Sequence, residues 1–288
     1  MAPAEGGARA APALAVVLPA GPRDDLLDTL ESVLAYTEAP RCVVVVDDHG
    51  DLPPLPPEVR ILPAPGGAPG NRGGLFVKVA AGIRTALALL DADVVLRLDA
   101  DALLLGGGLA RAAMARFDQD ERLGLLGSYR IGPDGTRRSF ADAAALLGRE
   151  RGPRGLGDPE RRRLLRALRA AARAHGYVDG EHALGGAYLL RGTTARALAG
   201  GGYLDLPALR ASRLGEDHLM GLVACAAGYR LGDFGGPDDP LALRWQGLPA
   251  PPESLLARGK LVTHSVRAFG TLGEGEIRAV FARHRIGR

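Results

Sequence analysis

Lysine is almost absent: of the 36 basic residues in this 288-residue chain only Lys78 and Lys260 are lysine, and the rest are arginine. The chain is also rich in Ala, Gly and Pro, so the arginine excess reads as the coding bias of a GC-rich genome. With a net charge of only +3, it gives no ground for a nucleic-acid partner. Cysteine is scarce as well. Cys42 and Cys225 have no C-x-x-C neighbour, which argues against a cysteine metal site and suits buried free thiols in a reducing, cytoplasmic setting. No apolar run approaches the roughly 20 residues a membrane span needs, so a soluble protein without a transmembrane segment is expected. The N-terminal MAPAEGGARAAPALAVVLPAGP imitates a signal peptide, but Asp24, Asp25 and an amphipathic pattern follow at once; a loose tail and then a strand is the better reading. No G-x-G-x-x-G follows that first strand, which disfavours a dinucleotide oxidoreductase. No repeat or disordered linker divides the chain, so one domain over residues 1–288 is expected.

What is present is a core, with 47% hydrophobic residues, and an alternation of elements. LAVVLPAG (14–21), RCVVVVDDHGD (41–51), VRIL (59–62) and VVLRL (94–98) read as strands. DDLLDTLESVLAY (24–36) and LFVKVAAGIRTALALL (75–90) carry helical spacing between them. Apolar strands separated by helices predict an α/β fold: a mostly parallel central sheet flanked by helices. Residues 12–105 form one half of this plan. The second half, 106–288, holds a helix at 106–117 and strands at 123–129 and 183–192. GEDHLMGLVACAAGYRLGDFG (215–235) is a helix followed by a strand, and a last basic helix lies near 274–284. Between 132 and 180 the chain turns polar and Arg-rich, with helices expected around 140–148 and 159–174. Its arginines (Arg137, Arg138, Arg151, Arg161 to Arg163) read as a solvated face, with an anionic acceptor as the alternative.

The stretch DADVVLRLDADALLL (91–105) contains one tripeptide twice. Asp91 and Asp93 precede the strand, on the edge opposite to ligand binding in parallel sheets, where turn chemistry explains them. Asp99 and Asp101 follow it, on the ligand edge. In extended backbone, residues i and i+2 point the same way, so both carboxylates would address one site. Two hard oxygen ligands suit Mn²⁺ or Mg²⁺, with phosphate oxygens and water completing the shell. Asp47 and Asp48 end the second strand on the same edge. Either can accept a hydrogen bond from a base or ribose, and turn or capping chemistry accounts for either equally well.

Five segments in order, VVLPAG, VVVVDDHGD, RLDADALLL, LGGAYLLRG and GEDHLMGLVACAAGYRL, resemble the nucleotide-sugar glycosyltransferases of the GT-A fold, particularly the large family 2. The resemblance covers roughly residues 13–235 and implies a Rossmann-like fold whose insertion near 132–180 lies on the acceptor side. It implies that Pro19, Ala20 and Asp48 cradle the base, expected to be uracil, and that Lys78 faces the base or diphosphate. Asp99 would touch ribose or metal, Asp101 the metal, and Asp217 would be the catalytic base of an inverting enzyme. A C-terminal histidine, His264, would complete the metal site, with Arg267 reaching the diphosphate; the alternative for His264 is a partly buried histidine bonded to backbone. The sequence departs from the family at VKVAAG, where A-R-N-x-G is usual, and at His49-Gly50. The Q-x-x-R-W motif of processive synthases is missing, since LALRW (241–245) has Leu241 in place of Gln, so a non-processive enzyme is expected. Partners would be a UDP-linked donor and a small-molecule, glycan or lipid-linked hydroxyl acceptor.

Such a transfer needs stabilisation of the leaving diphosphate, which a divalent ion provides as a Lewis acid. It also needs a base for the acceptor hydroxyl, which by the resemblance Asp217 would provide. Glu216 is expected to raise the pKa of Asp217 by like-charge repulsion. The bland alternative for both acids is helix N-terminal capping. Of the other histidines, His49, His175 and His284 read as surface or loop residues, while His182 and His218 fall near site segments. The rival functions are a nucleotidyltransferase, disfavoured because Arg23 is followed at once by two acids, and a non-catalytic nucleotide-sugar-binding protein, which need not keep metal and base residues together.

Overall fold

The computed structural model describes residues 11–21, 25–48, 50–66, 72–152 and 158–287. The N-terminal tail to residue 10, Arg23, Asp24 and His49 lie outside the described residues.

Along the chain the elements are β1 (Leu14–Ala20), α1 (Leu26–Tyr36), β2 (Arg41–Asp47), β3 (Val59–Pro63), α2 (Gly73–Leu89), β4 (Val94–Leu98), β5 (Ala102–Leu104), α3 (Leu109–Phe117) and β6 (Leu123–Gly127). Then come α4 (Ala141–Arg151), α5 (Pro159–Ala174), β7 (Ala187–Arg191), α6 (Gly192–Gly200), a 3-10 turn (Pro207–Ala211), α7 (Glu216–Ala226), β8 (Arg230–Asp233) and β9 (Leu241–Leu243). The last are α8 (Pro252–Ala257), β10 (Val262–His264), β11 (Ala268–Phe269), β12 (Leu272–Gly273) and α9 (Glu274–Ile286).

Seven strands form the central sheet in the order β3-β2-β1-β4-β7-β6-β8. It is mostly parallel, as the apolar runs predict, but β7 is antiparallel to both β4 and β6. The two faces carry separate cores. Val17, Val44 and Val46 face α2, while Val16, Leu18 and Val45 face α1 and α3. Helix α2 lies close because Gly82 has no side chain: a Cβ there would stand 2.5 Å from Val17 and 2.8 Å from Val46. The chain runs from β1 outward to β2 and β3, then returns to place β4 on the other side of β1. That reversal opens a crevice at the carboxyl ends of β1 and β4, where ligands bind in such sheets.

A second, three-stranded sheet, β5-β10-β9, sits over this crevice. β10 pairs antiparallel with β5 and sets His264 opposite Ala102. A strand from the last thirty residues is thereby laid beside the loop that follows β4. Neither β5 nor β9 is apparent from sequence pattern, because each has only three residues and shows no usable period.

In the polar stretch, α4 and α5 lie where expected. Arg161 pairs with Asp158 and Glu150, and Arg169 and Arg173 with Asp179, around the helix surfaces. Arg138 departs from the expected solvated face: it turns inward and donates to the carbonyls of Ser128, Tyr129 and His182. The described part of the chain contains no helix long and apolar enough to cross a membrane.

Candidate active site

Strand β4 ends at Leu98, and the chain then turns instead of continuing extended: Ala102 N–H donates to the Asp99 carbonyl at 3.0 Å. The i, i+2 argument for the acid pair therefore gives the right neighbours for the wrong reason. A tight turn, not a pleat, brings the two carboxylates to one side. Its apex is tied down, since the Ala100 carbonyl accepts from Thr29 Oγ1 at 2.7 Å and from Arg278 of α9 at 3.1 Å.

His264 comes from β10 to meet the acids. Its Nε2 lies 3.2 Å from Asp101 Oδ1 and 3.7 Å from Asp99 Oδ2. The three residues offer ligand atoms that all lie within 4.8 Å of one another. His264 Nδ1 is 2.8 Å from the Arg244 carbonyl. It donates there, which turns Nε2 toward the acids and leaves it available as a ligand, the usual outer support of a metal-binding histidine. This donor set of two carboxylate oxygens and an imidazole fits Mn²⁺ better than Mg²⁺.

The same acids also hold cations of the chain. Arg97, fully buried on β4, pairs with Asp99 Oδ1 at 2.8 Å. Arg267 pairs with Asp101 Oδ2 at 2.8 Å, beside a 3.0 Å bond from Ser265. Arg267, expected on a diphosphate, thus rests on Asp101 in this structure. Burial would raise the pKa of Asp101, but His264 and Arg267 hold its carboxyl well below the usual range. Burial would likewise lower His264, but its bond to Asp101 and the charges of both acids raise it. An ion binding here must displace that proton, so affinity should fall in acid.

No protein-family model matches the sequence, and no curated protein matches it. Among solved structures the chain is similar to the mannosyltransferase PcManGT from Pyrobaculum calidifontis in complex with GDP-Man and Mn²⁺, at 18% identity over 76% of this chain and 54% of that one, with a TM-score of 0.39. It thus spans about half the length of that protein. It is also similar to the galactosyltransferase LgtC in complex with donor and acceptor sugar analogs, at 15% identity over 95% of each chain, with a TM-score of 0.46. Both likenesses are distant.

Glu216 and Asp217 open α7 and line the same cavity, and their environments differ. Glu216 is buried against Tyr188, whose hydroxyl donates to it, and lies 3.3 Å from Arg97. Burial outweighs the Arg97 attraction and pushes its carboxyl up to about 7. Asp217 goes the other way. Burial would raise it, but His218, His182 and the backbone N–H groups of Gly185 and His218, each at 2.9 Å, lower it. The expectation that Glu216 raises Asp217 is therefore corrected. The His218 and His182 imidazoles and the Gly185 and His218 amides outweigh burial, and Asp217 is ionised at neutral pH.

The Gly-Gly pair before β7 has a steric reason. Gly185 donates its N–H to Asp217, and a Cβ on Gly186 (φ +97°) would lie 2.5 Å from the His264 ring. The Gly186 carbonyl also accepts from Asp99 N–H at 2.7 Å. Two adjacent glycines therefore touch the supposed base, the histidine and the first acid. His182, Asp217 and His218 form a second trio of potential ligands, but both ring nitrogens of His182 are engaged, Nδ1 with the Gly180 carbonyl at 2.7 Å and Nε2 with Arg138 at 2.9 Å. That trio is a poor cation site.

The supposed base-binding residues lie apart from these. Pro19 and Ala20 end β1 in register with Val46 and Asp47 of β2. Asp47 caps the Gly50 N–H. Lys78 does not face open space; it is buried on α2 and paired with Asp48. A cavity of about 610 Å³ is lined by Asp99, Asp101, His264, Glu216 and Asp217, and its described lining does not include Pro19, Ala20, Asp47, Asp48 or Lys78.

Sequence reasoning missed Arg97, Arg72 and Trp245, all of which line the cavity. An arginine within the apolar run VVLRL was the available signal for Arg97, because a buried guanidinium requires acidic partners.

Two outcomes follow. His264→Ala should lower Mn²⁺ affinity by about tenfold or more and lose activity that excess Mn²⁺ partly restores; a metal titration identical to wild type would make His264 a purely structural residue. Glu216, with its pKa raised from 4.5 to about 7, contributes stability that is full below its unfolded pKa and lost as pH rises through the folded one. Urea denaturation at pH 5 and pH 8 should therefore show Glu216→Gln gaining on wild type by about 1–3 kcal/mol with rising pH. A gap independent of pH would mean that Glu216 is ionised throughout.

Proposed function

We propose that the chain is a metal-dependent GT-A glycosyltransferase that moves a hexose from a nucleotide-sugar donor, UDP-linked, to a hydroxyl acceptor with inversion and without processive extension. One observation carries this reading: two acids after β4 and a histidine from β10 meet in the cavity that also exposes Asp217. Bound at Asp99, Asp101 and His264, Mn²⁺ would supply Lewis-acid stabilisation of the leaving diphosphate. The chain's own residues do the rest. Arg97 holds Asp99 from behind. Arg72 and Arg267 supply positive charge at the cavity wall for the diphosphate. Pro19, Ala20, Asp47 and Asp48 stand at the strand ends where the base would lie, and Lys78 acts there through Asp48.

Asp217 takes the proton from the acceptor hydroxyl. The acceptor oxygen then bonds to the anomeric carbon as the bond to the diphosphate breaks, and that electron pair leaves with the diphosphate. Because Asp217 is ionised at neutral pH, it is ready as a base before substrate arrives. The test is a screen of nucleotide-sugar hydrolysis and transfer with Mn²⁺ present, with NMR of the product linkage. UDP-sugar turnover with an inverted anomeric centre is expected. Retention of configuration would remove Asp217 from its role, and no turnover of any nucleotide sugar would sink the reading.

A further inference from the structure

We propose that Trp245 is the platform on which the acceptor lays a pyranose ring, so that the acceptor is a saccharide and not a small polar alcohol. This rests on the glycosyl-transfer reading of the cavity. Trp245 is the only tryptophan of the chain and is 78% exposed. A lone exposed apolar side chain is ordinary, but two observations set this one apart.

First, it lines the same cavity as Asp217, whereas the other large exposed hydrophobics among the described residues, Leu27, Ile61, Leu89, Val178 and Ile286, do not. Second, its loop is fastened at both ends to the segment that carries His264 and Arg267. Arg244 N–H donates to the His264 carbonyl at 2.7 Å, Ser265 N–H to the Gly247 carbonyl at 3.3 Å, and Leu248 N–H to the Ala268 carbonyl at 2.8 Å. A loop fastened in this way fixes where the Trp245 backbone stands on the cavity wall, so a ligand that covers the indole has little main chain left to order. The C–H face of a pyranose is flat and weakly apolar and matches an aromatic face, while its hydroxyl rim remains free for polar groups such as Gln246, the next residue along the cavity wall.

Topology separates this from the nucleobase. The base is assigned to the ends of β1 and β2. Trp245 follows β9, the strand of the small sheet farthest from β5, and Leu241 of β9 bonds to Phe234, just after β8. β8 closes the opposite edge of the central sheet from β3. A bilayer anchor is disfavoured because it needs several apolar groups in one plane, and among the described residues Trp245 is the only exposed large hydrophobic at the cavity.

The sole tryptophan makes intrinsic fluorescence a clean probe. Full-length protein with UDP and Mn²⁺ is titrated with methyl glucosides, galactosides and mannosides and the matching disaccharides. In parallel it receives UDP with Mn²⁺ alone, and phosphatidylglycerol vesicles. A saturable emission shift on at least one saccharide is expected, with little response to UDP and Mn²⁺ alone. A shift on UDP and Mn²⁺ alone would assign the indole to the donor. A shift on vesicles only would make it a surface anchor, and no shift on any saccharide also overturns the proposal. In kinetics, Trp245→Ala should raise acceptor KM about tenfold or more, with donor KM within about twofold, and Trp245→Phe should recover most of the loss. A fall in kcat alone, with acceptor KM unchanged, contradicts the platform. If no nucleotide sugar is turned over while saccharides still shift the emission, the transfer reading fails and the saccharide site stands.

Discussion

Replacing Asp101 by alanine should weaken Mn²⁺-dependent binding of UDP by at least about 100-fold, the upper end of what losing even an outer partner of a metal site costs, while Asp93→Ala should leave it unchanged. The two residues occupy the same place in chemically identical tripeptides, and only their position on the sheet differs. Asp101 lies in the turn after β4, 3.2 Å from His264 Nε2. Asp93 lies at the opposite end of that strand, where its carboxylate accepts the Ala13 N–H at 2.8 Å. Losing that bond costs stability of about 1 kcal/mol, and nothing reaches the crevice. Asp101→Ala also removes one partner of Arg267. Calorimetric titration of UDP with and without Mn²⁺ separates a metal effect from an arginine effect, because only the first vanishes when the ion is left out. Equal losses from the two substitutions would refute the assignment.

Asp217→Asn should lower transfer turnover by about two to four decades, the contribution of a positioned general base, with donor affinity nearly intact. The substitution removes the basic electron pair but little else. Asn is the same size, and its amide oxygen can still accept from the Gly185 or His218 N–H, the two bonds that fix Asp217 in the first turn of α7. The rest of the site is held independently: Arg97 stays on Asp99, and His264 on the Arg244 carbonyl. A fall in kcat without a matching rise in donor KM is the signature of a group used only in the transition state. A variant with near-normal turnover would exclude Asp217 as the base and turn attention to Glu216, the other acid of the pair.

Much of the architecture was legible in the residues. Runs such as VVVV in β2 and VVLRL in β4 can only be buried strands, and the helical spacing of α1 and α2 between them leaves a parallel sheet as the way to cover both faces. The place of Asp99 and Asp101 at the ligand edge followed from that plan alone, and so did the dismissal of Asp91 and Asp93. What could not be read were interactions set by distant segments. No local pattern says that β10 lies along β5 in the register that brings His264 to Asp101. Pairing between strands 160 residues apart is decided by what else is left to cover, not by the three residues of each strand. The protonation of α7 was equally out of reach. Glu216 and Asp217 are neighbours in the chain, yet one is forced up by burial against Tyr188 and the other down by the His218 ring and amide of α7 itself and by the His182 ring and Gly185 amide ahead of β7. Residue order thus determined which carboxylates exist and on which edge they stand. Only the tertiary structure decided which cations and rings surround each of them, because charge and burial act through space and take no account of order along the chain.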